Sequence, residues 1–273
     1  MEQSVDKIAA LAIAAQGNLP VQVDKSASLA IVPEGFKLYS TEKYNAFRDR
    51  FRGTFNTNSI DSFVEYASAR GVKGLKNFID TQNKLKAEAF FNIGDEATPG
   101  HADDTAVLLL DKKPEYVAFE KADGNRFIQE KLIDLLDDWA EFITLHGKDG
   151  NAIGYEVGIR ALRKVKIAKG SEINSHIHDL GYEVSAAESM EAKGVDENLP
   201  TYFTLLTESY KGLPVEDIKI SIRISTKDDA PTFILRIVGK ENHDQRRADQ
   251  FVDILKEKLS ALEGDFYQGV FAA

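Results

Sequence analysis

The chain has 273 residues, 43% of them apolar and 29% charged, with a net charge of −10 and no cysteine. Such a length and composition belong to a soluble globular protein able to bury a core of its own. The missing thiols exclude disulfides, thiolate metal sites and cysteine nucleophiles and fit a reducing cytoplasm. The acidic balance works against phosphate backbones unless basic residues cluster.

Residues 3 to 16 read as an alanine-rich helix. Its run Ile8 to Ala15 is too short to span a bilayer and lacks a basic leader, so neither a membrane span nor a signal peptide is expected. Residues 17 to 40 form an irregular lead-in with a short strand near Leu29 to Val32. Arg48, Arg50 and Arg52 then alternate around Phe47 and Phe51, a local anion site or a solvated face. Gly53 to Thr57 reads as a strand end. Asn58 or Ser59 caps a helix to about Arg70, stopped by Gly71 and Gly74. Leu75 to Asp80 and Lys84 to Ile93 read as strands joined by a hairpin turn. Thr105 to Leu110 is a nearly continuous apolar run, expected to be a strand buried on both faces, and Tyr116 to Glu120 is read as a candidate partner strand.

From Asp123 the spacing predicts one long helix to about Thr144. Ile128, Leu132, Leu135, Leu136, Trp139, Phe142 and Ile143 form its apolar face, with Trp139 as a core anchor. A second helix runs from about Ala152 to Arg163 and leads into a strand at Lys164 to Ala168. Arg160, Arg163, Lys164, Lys166 and Lys169 make a second basic cluster. Thr201 to Tyr210, Ile218 to Thr226 and Thr232 to Val238 alternate as strands do, and a helix covers about Asp244 to Leu262. Strands neighbour strands, so the expected class is α+β, mostly antiparallel sheet with several packed helices. Residues 1–44 form an N-terminal lead-in and 45–273 the main region, with a subdivision near 185–199 as the best internal boundary.

The chain carries no GxxxxGK[ST] phosphate loop, no GxGxxG, no HExxH and no GxSxG. The most suggestive stretch is GDEATPGHADDT at 94–105. Asp95, Glu96, His101, Asp103 and Asp104, together with Asp80 on the neighbouring strand, offer hard oxygen ligands and one imidazole. That set suits magnesium or manganese and metal-assisted hydrolysis, with Asp80, His101, Asp103 and Asp104 as the catalytic candidates. A loop of Gly, Pro, Asp and His is equally the composition of a surface turn whose side chains bond the backbone. His176 and His178, with Glu172 and Asp179 nearby, would share a face on a strand and could hold zinc; exposed polar histidines are the plainer reading. Near the end, Phe266, Tyr267, Val270 and Phe271 need a docking place, on the parent domain or on another subunit.

Several stretches together resemble the YfdQ-like family of phage and prophage proteins, whose function is unassigned. They are Phe51-Arg52-Gly53-Thr54-Phe55-Asn56-Thr57-Asn58-Ser59-Ile60, then Asp80, then Phe91-Asn92-Ile93-Gly94 with Pro99-Gly100-His101-Ala102-Asp103-Asp104. Asp138-Trp139 and Ser185 to Glu191 extend the likeness. The resemblance implies a phage-encoded accessory protein in the cytoplasm of an infected bacterium, and it brings no catalytic residue with it.

Three functions are then expected in order. The first is a non-enzymatic protein that binds and self-assembles, with Phe266, Tyr267, Val270 and Phe271 as oligomer contacts. It needs no cofactor and no membrane; its partner is a second copy, and a host or phage protein is a further one. The second is a magnesium- or manganese-dependent hydrolase or nuclease, with the Arg48 to Arg52 cluster as its approach surface to nucleic acid. The third is an acidic decoy of a host nucleic-acid-binding or defence protein.

Overall fold

The computed structural model describes residues 42–71, 74–82, 84–165, 184–185, 197–225 and 231–272. The expected helix at 3–16, the strand near 29–32, the continuation past Lys164 and the His176/His178 pair lie outside them. The chain divides into two units, Met1–Phe51 and Arg52–Ala273. In the first, a 3-10 turn at Glu42–Tyr44 is held by the Asp49 amide donating to Glu42 Oε1 at 3.2 Å.

The second unit is α+β, as the alternating strand patterns predict, and contains two mostly antiparallel sheets. The first sheet comprises β1 (Gly53–Thr57), β2 (Leu75–Asp80), β3 (Lys86–Phe90), β4 (Asp104–Leu109) and β12 (Gly264–Gln268). Their order is β1-β4-β3-β2-β12. The hairpin partners β2, β3 and β4 run antiparallel, whereas β1 on β4 and β12 on β2 are parallel. On one face Leu75, Ile79, Ala87, Ala89, Ala106 and Leu108 are buried. They pack against α1 (Ile60–Arg70) and α5 (Lys240–Lys258) through Ile60, Phe63, Ala67, Phe251, Val252 and Leu255. Ser59 caps α1 by accepting from the Ser62 amide, and Gly71 ends it in the left-handed region at φ 55°.

The second sheet comprises β5 (Arg126–Ile128), β6 (Ile143–His146), β7 (Ala152–Ile153), β9 (Tyr202–Glu208), β10 (Val215–Ser225) and β11 (Thr232–Ile237), in the order β5-β11-β10-β9-β6-β7. The two-residue β8 (Val184–Ser185) pairs with β10. Phe203, Leu205, Ile218, Ile220, Ile222, Phe233 and Leu235 form its buried face. They meet Tyr116 and Phe119 of α2 (Pro114–Ala122), Leu132 and Leu136 of α3 (Gln129–Asp138), and Ile159 and Leu162 of α4 (Tyr155–Lys164).

Two expected elements are different. Tyr116 to Glu120 is helical, within α2. Pro114 occupies its first turn, where a missing amide costs no hydrogen bond and the fixed φ favours helix entry. The single helix at 123–144 is instead β5, α3, a 3-10 turn at Ala140–Phe142 and β6. Gly124 at φ 75° breaks the chain after α2, and Phe127 pairs with Phe233 across β11. Trp139, at φ −122°, terminates α3 rather than continuing it. It packs half-buried against the core beside Phe142.

Candidate functional site

The 94–105 loop is a tight, self-bonded turn. Gly94 and Pro99 form a bridge, and the Gly100 amide donates to the Ile93 carbonyl at 2.8 Å. Asp95 Oδ1 accepts from the Thr98 amide and hydroxyl at 2.6 and 2.9 Å, and these bonds hold its carboxyl below the usual range. Asp103 accepts from Asn92 Nδ2, while Asn92 Oδ1 accepts from the Asp104 amide. Asp104 is buried in an ion pair with Arg70. Glu96 and His101 are exposed.

The expected convergence with Asp80 does not occur. Asp80 stands level with Lys86 and Leu109, whereas the Asp104 carbonyl meets the Phe91 amide at the opposite end of β3. The separation along the sheet is roughly 17 Å at about 3.4 Å per residue. Asp80 instead caps its own turn, accepting from the Gln82 amide at 3.0 Å. Among the described residues, no three His, Asp or Glu side chains are grouped as metal ligands. Of the arginine cluster, Arg48 is exposed and Arg50 half-buried in the first unit, while a half-buried Arg52 opens the second.

The aromatic tail docks on its own chain. β12 pairs with β2, and its Phe266 packs into the core beneath the first sheet. Tyr267 and Phe271 turn to the other face, where both stack on Phe78 at centroid distances of 5.2 and 5.0 Å. Phe90 meets Phe78 and Phe271 edge-on. Tyr267 remains 44% exposed and Val270 65%. Charged residues of both signs, including Lys76, Asp80, Lys86 and Glu88, alternate along the same face of β2 and β3.

Sequence reasoning missed the most organised charged constellation, which lies where α2, α5 and the β9–β10 connection meet. Arg247 of α5 is 2% exposed. Its Nε donates to Glu216 Oε1 at 2.5 Å, and its Nη1 donates to Tyr116 Oη at 2.6 Å and to Asp244 Oδ1 at 2.8 Å. The guanidinium lies 4.4 Å from the Tyr116 ring centroid. Ser209 Oγ also donates to Glu216, and His243 Nδ1 stands 3.0 Å from its Oε2. Burial pushes the Glu216 carboxyl up, but bonds from Arg247, Ser209 and His243 outweigh it and leave the group below the ordinary range.

A second charged pair stands beside the first. Lys112 Nζ donates to both oxygens of Glu120 at 2.6 and 2.7 Å and lies between the Tyr116 and Tyr210 rings, 5.7 and 5.6 Å from their centroids. Burial works to lower its pKa; pairing with Glu120 prevails and raises it. Lys112, Glu120, Tyr210, Asp244 and Arg247 line a cleft of about 150 Å³, completed by Thr81, Gln82, Lys84 and Leu85. The visible sequence signal was Arg247 itself, a charge four residues before Phe251 on the apolar stripe of α5.

The fold and this cleft define an α+β protein whose two sheet cores are pinned together by a buried guanidinium. The chain belongs to the family described as uncharacterized conserved protein DUF2303, whose model matches residues 1–271. No curated protein and no solved structure matches the chain.

Proposed function

We propose that this protein works by binding and self-assembly, through the outer face of the first sheet, as an accessory protein of a phage or prophage. The observation that carries the reading is the aromatic cluster in which half-buried Phe78 and Phe271 cover buried Phe90, with exposed Tyr267 and Val270 at its margin. An apolar centre inside a rim of mixed charge is the anatomy of a protein interface. A second copy is the proposed partner, with the tail contributing Tyr267, Val270 and Phe271. Phe266 belongs to the parent core and is left out of this contact.

The phage assignment and the infected bacterial cytoplasm rest on the YfdQ-like motifs. The absence of cysteine is consistent with that compartment. Among the described residues no helix is long and apolar enough to cross a membrane. Light scattering of the full chain at micromolar concentration tests the assembly. The expected result is a species heavier than one chain, shifted to a single chain by Tyr267→Asp combined with Val270→Asp. A wild-type protein that is already monomeric refutes it.

A further inference from the structure

We propose that the open face of the second sheet binds single-stranded nucleic acid through its phosphates. This face is independent of the assembly surface on the first sheet. Among the described residues, the helices that cover the second sheet, α2, α3 and α4, all pack on the side of Phe203, Ile220 and Leu235. Alternation along each strand turns the intervening residues to the other side. On β5, β10 and β11 those outward positions hold Arg126, Lys219, Arg223 and Arg236 against one acid, Asp217. Arg126, Lys219 and Arg236 are exposed, so a ligand on this face reaches them, and Arg223 is half-buried. The outward positions of β6 and β9 add one more acid, Glu208, which lies 3.9 Å from Lys113.

This positive face belongs to a chain whose net charge is −10, so its cations are concentrated rather than spread. Their spacing suits a row of phosphates. Arg126 and Arg223 stand level with Ile234 on the strands to either side of it, about 9–10 Å apart by two strand spacings. Arg236 lies two residues further along β11 on the same face, about 7 Å on. Arg223, Ile234 and Arg236 also line a recess of about 340 Å³ at the sheet margin. Its acids are Asp123, which accepts from Lys240 and from the Ile237 amide, and Glu241. With the recess counted, Arg126, Lys219, Arg223, Arg236 and Lys240 still outnumber Asp123, Asp217 and Glu241. Further across, the His146 and Tyr202 rings stack at 4.7 Å, and Lys219 Nζ lies 4.0 Å from the Tyr202 centroid, which holds that charge on the face. The shape favours a single strand. The six strands of the main path make a surface about 24 Å wide, twice a B-form major groove of about 12 Å. A sheet that broad cannot enter the groove, whereas a flexible strand can follow the cations across it.

The test follows fluorescence anisotropy of labelled oligothymidine, oligouridine and an oligothymidine–oligoadenosine duplex with the full chain, between about 50 and about 200 mM salt. The expected result is saturable binding of the single strands at micromolar concentration, tighter than binding of the duplex. The affinity should fall with salt at a logarithmic slope of about −2 to −3, since each phosphate neutralised on a single strand contributes about 0.7 and four cations are available. Arg126→Ala combined with Arg236→Ala, both at exposed positions, should weaken binding about tenfold and reduce the slope by about 1.4, with the melting temperature unchanged. Lys131→Ala, an exposed lysine of α3 on the opposite side of the sheet, should change neither. Equal affinity for the two single strands places recognition on the phosphates, and a preference for oligouridine adds contact with the 2′-hydroxyl. No binding at the lowest salt, tighter binding of the duplex, or a double variant that binds like the wild type overturns the proposal.

Discussion

Arg247 and Tyr116 join the two halves of the main unit: Nη1 of the guanidinium donates to the phenol at 2.6 Å from an α5 that otherwise packs on the other sheet. Tyr116→Phe keeps the ring beneath the guanidinium and removes that acceptor. The expected cost is about 1.5–3 kcal/mol, the range for a hydrogen bond to a charged group. Urea unfolding followed by circular dichroism measures it; an unchanged midpoint would show the phenol to be dispensable.

Glu216→Gln should be worse. It leaves Arg247 buried beside a neutral amide, and breaking a buried ion pair costs about 3–5 kcal/mol. Arg247→Met together with Glu216→Leu should recover much of this loss, because a buried pair can be replaced by apolar packing. Failure of the double variant to recover would mean that Ser209 and His243 hold the region together through Glu216.

Acid should release the same cluster. The folded Glu216 titrates below its ordinary value of 4.5. Its stabilisation is therefore complete above that pH and disappears as pH falls through the lower folded value. Melting temperature scanned from about pH 6 to about pH 2 should show an acid limb that is shallower in Glu216→Gln. Superimposable limbs would assign the acid loss to other carboxylates.

The 94–105 loop should respond through its glycines more than its histidine. A Cβ on Gly100 would lie 1.9 Å from the Asn92 carbonyl oxygen, and one on Gly94 2.1 Å from that of Thr98 at φ 71°. Gly100→Ala should cost at least about 2 kcal/mol through forced backbone displacement. His101→Ala, at an exposed site, should stay within about 0.5 kcal/mol. Calorimetry that ranks these two in the opposite order would restore a role for the imidazole.

Phe203 and Phe251 are fully buried, one in each core, whereas Trp139 is half-buried. Phe203→Ala and Phe251→Ala should each cost about 3–5 kcal/mol. Trp139→Ala should cost less than either, and a larger loss would contradict its position at the end of α3.

The legible parts of the fold were those where burial and period agree. In β9 and β10 burial alternates along the strand, so Phe203 and Ile220 declare them, while β11 is declared by the buried apolar run Phe233 to Leu235. The segment 123–144 misled because Ile128, Leu132, Leu135, Leu136 and Trp139 keep helical spacing across element boundaries. The turn at Gly124 and the pairing of Phe127 with the distant Phe233 override that spacing, and the second is not local. The acidic loop drew attention by density of charge, yet Asp95 and Asp103 bond residues of the loop and its shoulder, and Asp104 pairs with Arg70. The cleft could not be read, since Lys112, Glu120, Tyr210, Glu216 and Arg247 are brought together only by the packing of distant elements. A lone arginine in an apolar stripe was its trace in the sequence.

The parallel pairing of β12 with β2 has a consequence for biosynthesis. Leu75 waits for Gly264 and Phe78 for Tyr267. On the ribosome β2, β3 and β4 emerge long before β12 exists. Until then one side of β2 has bare amides and carbonyls, and Phe78 lacks the two rings that later stack on it. Contacts so distant in sequence also form slowly, because the intervening chain must be gathered before they reward closure. Neighbouring nascent chains on one messenger therefore meet during a window in which this strand can pair with the wrong copy.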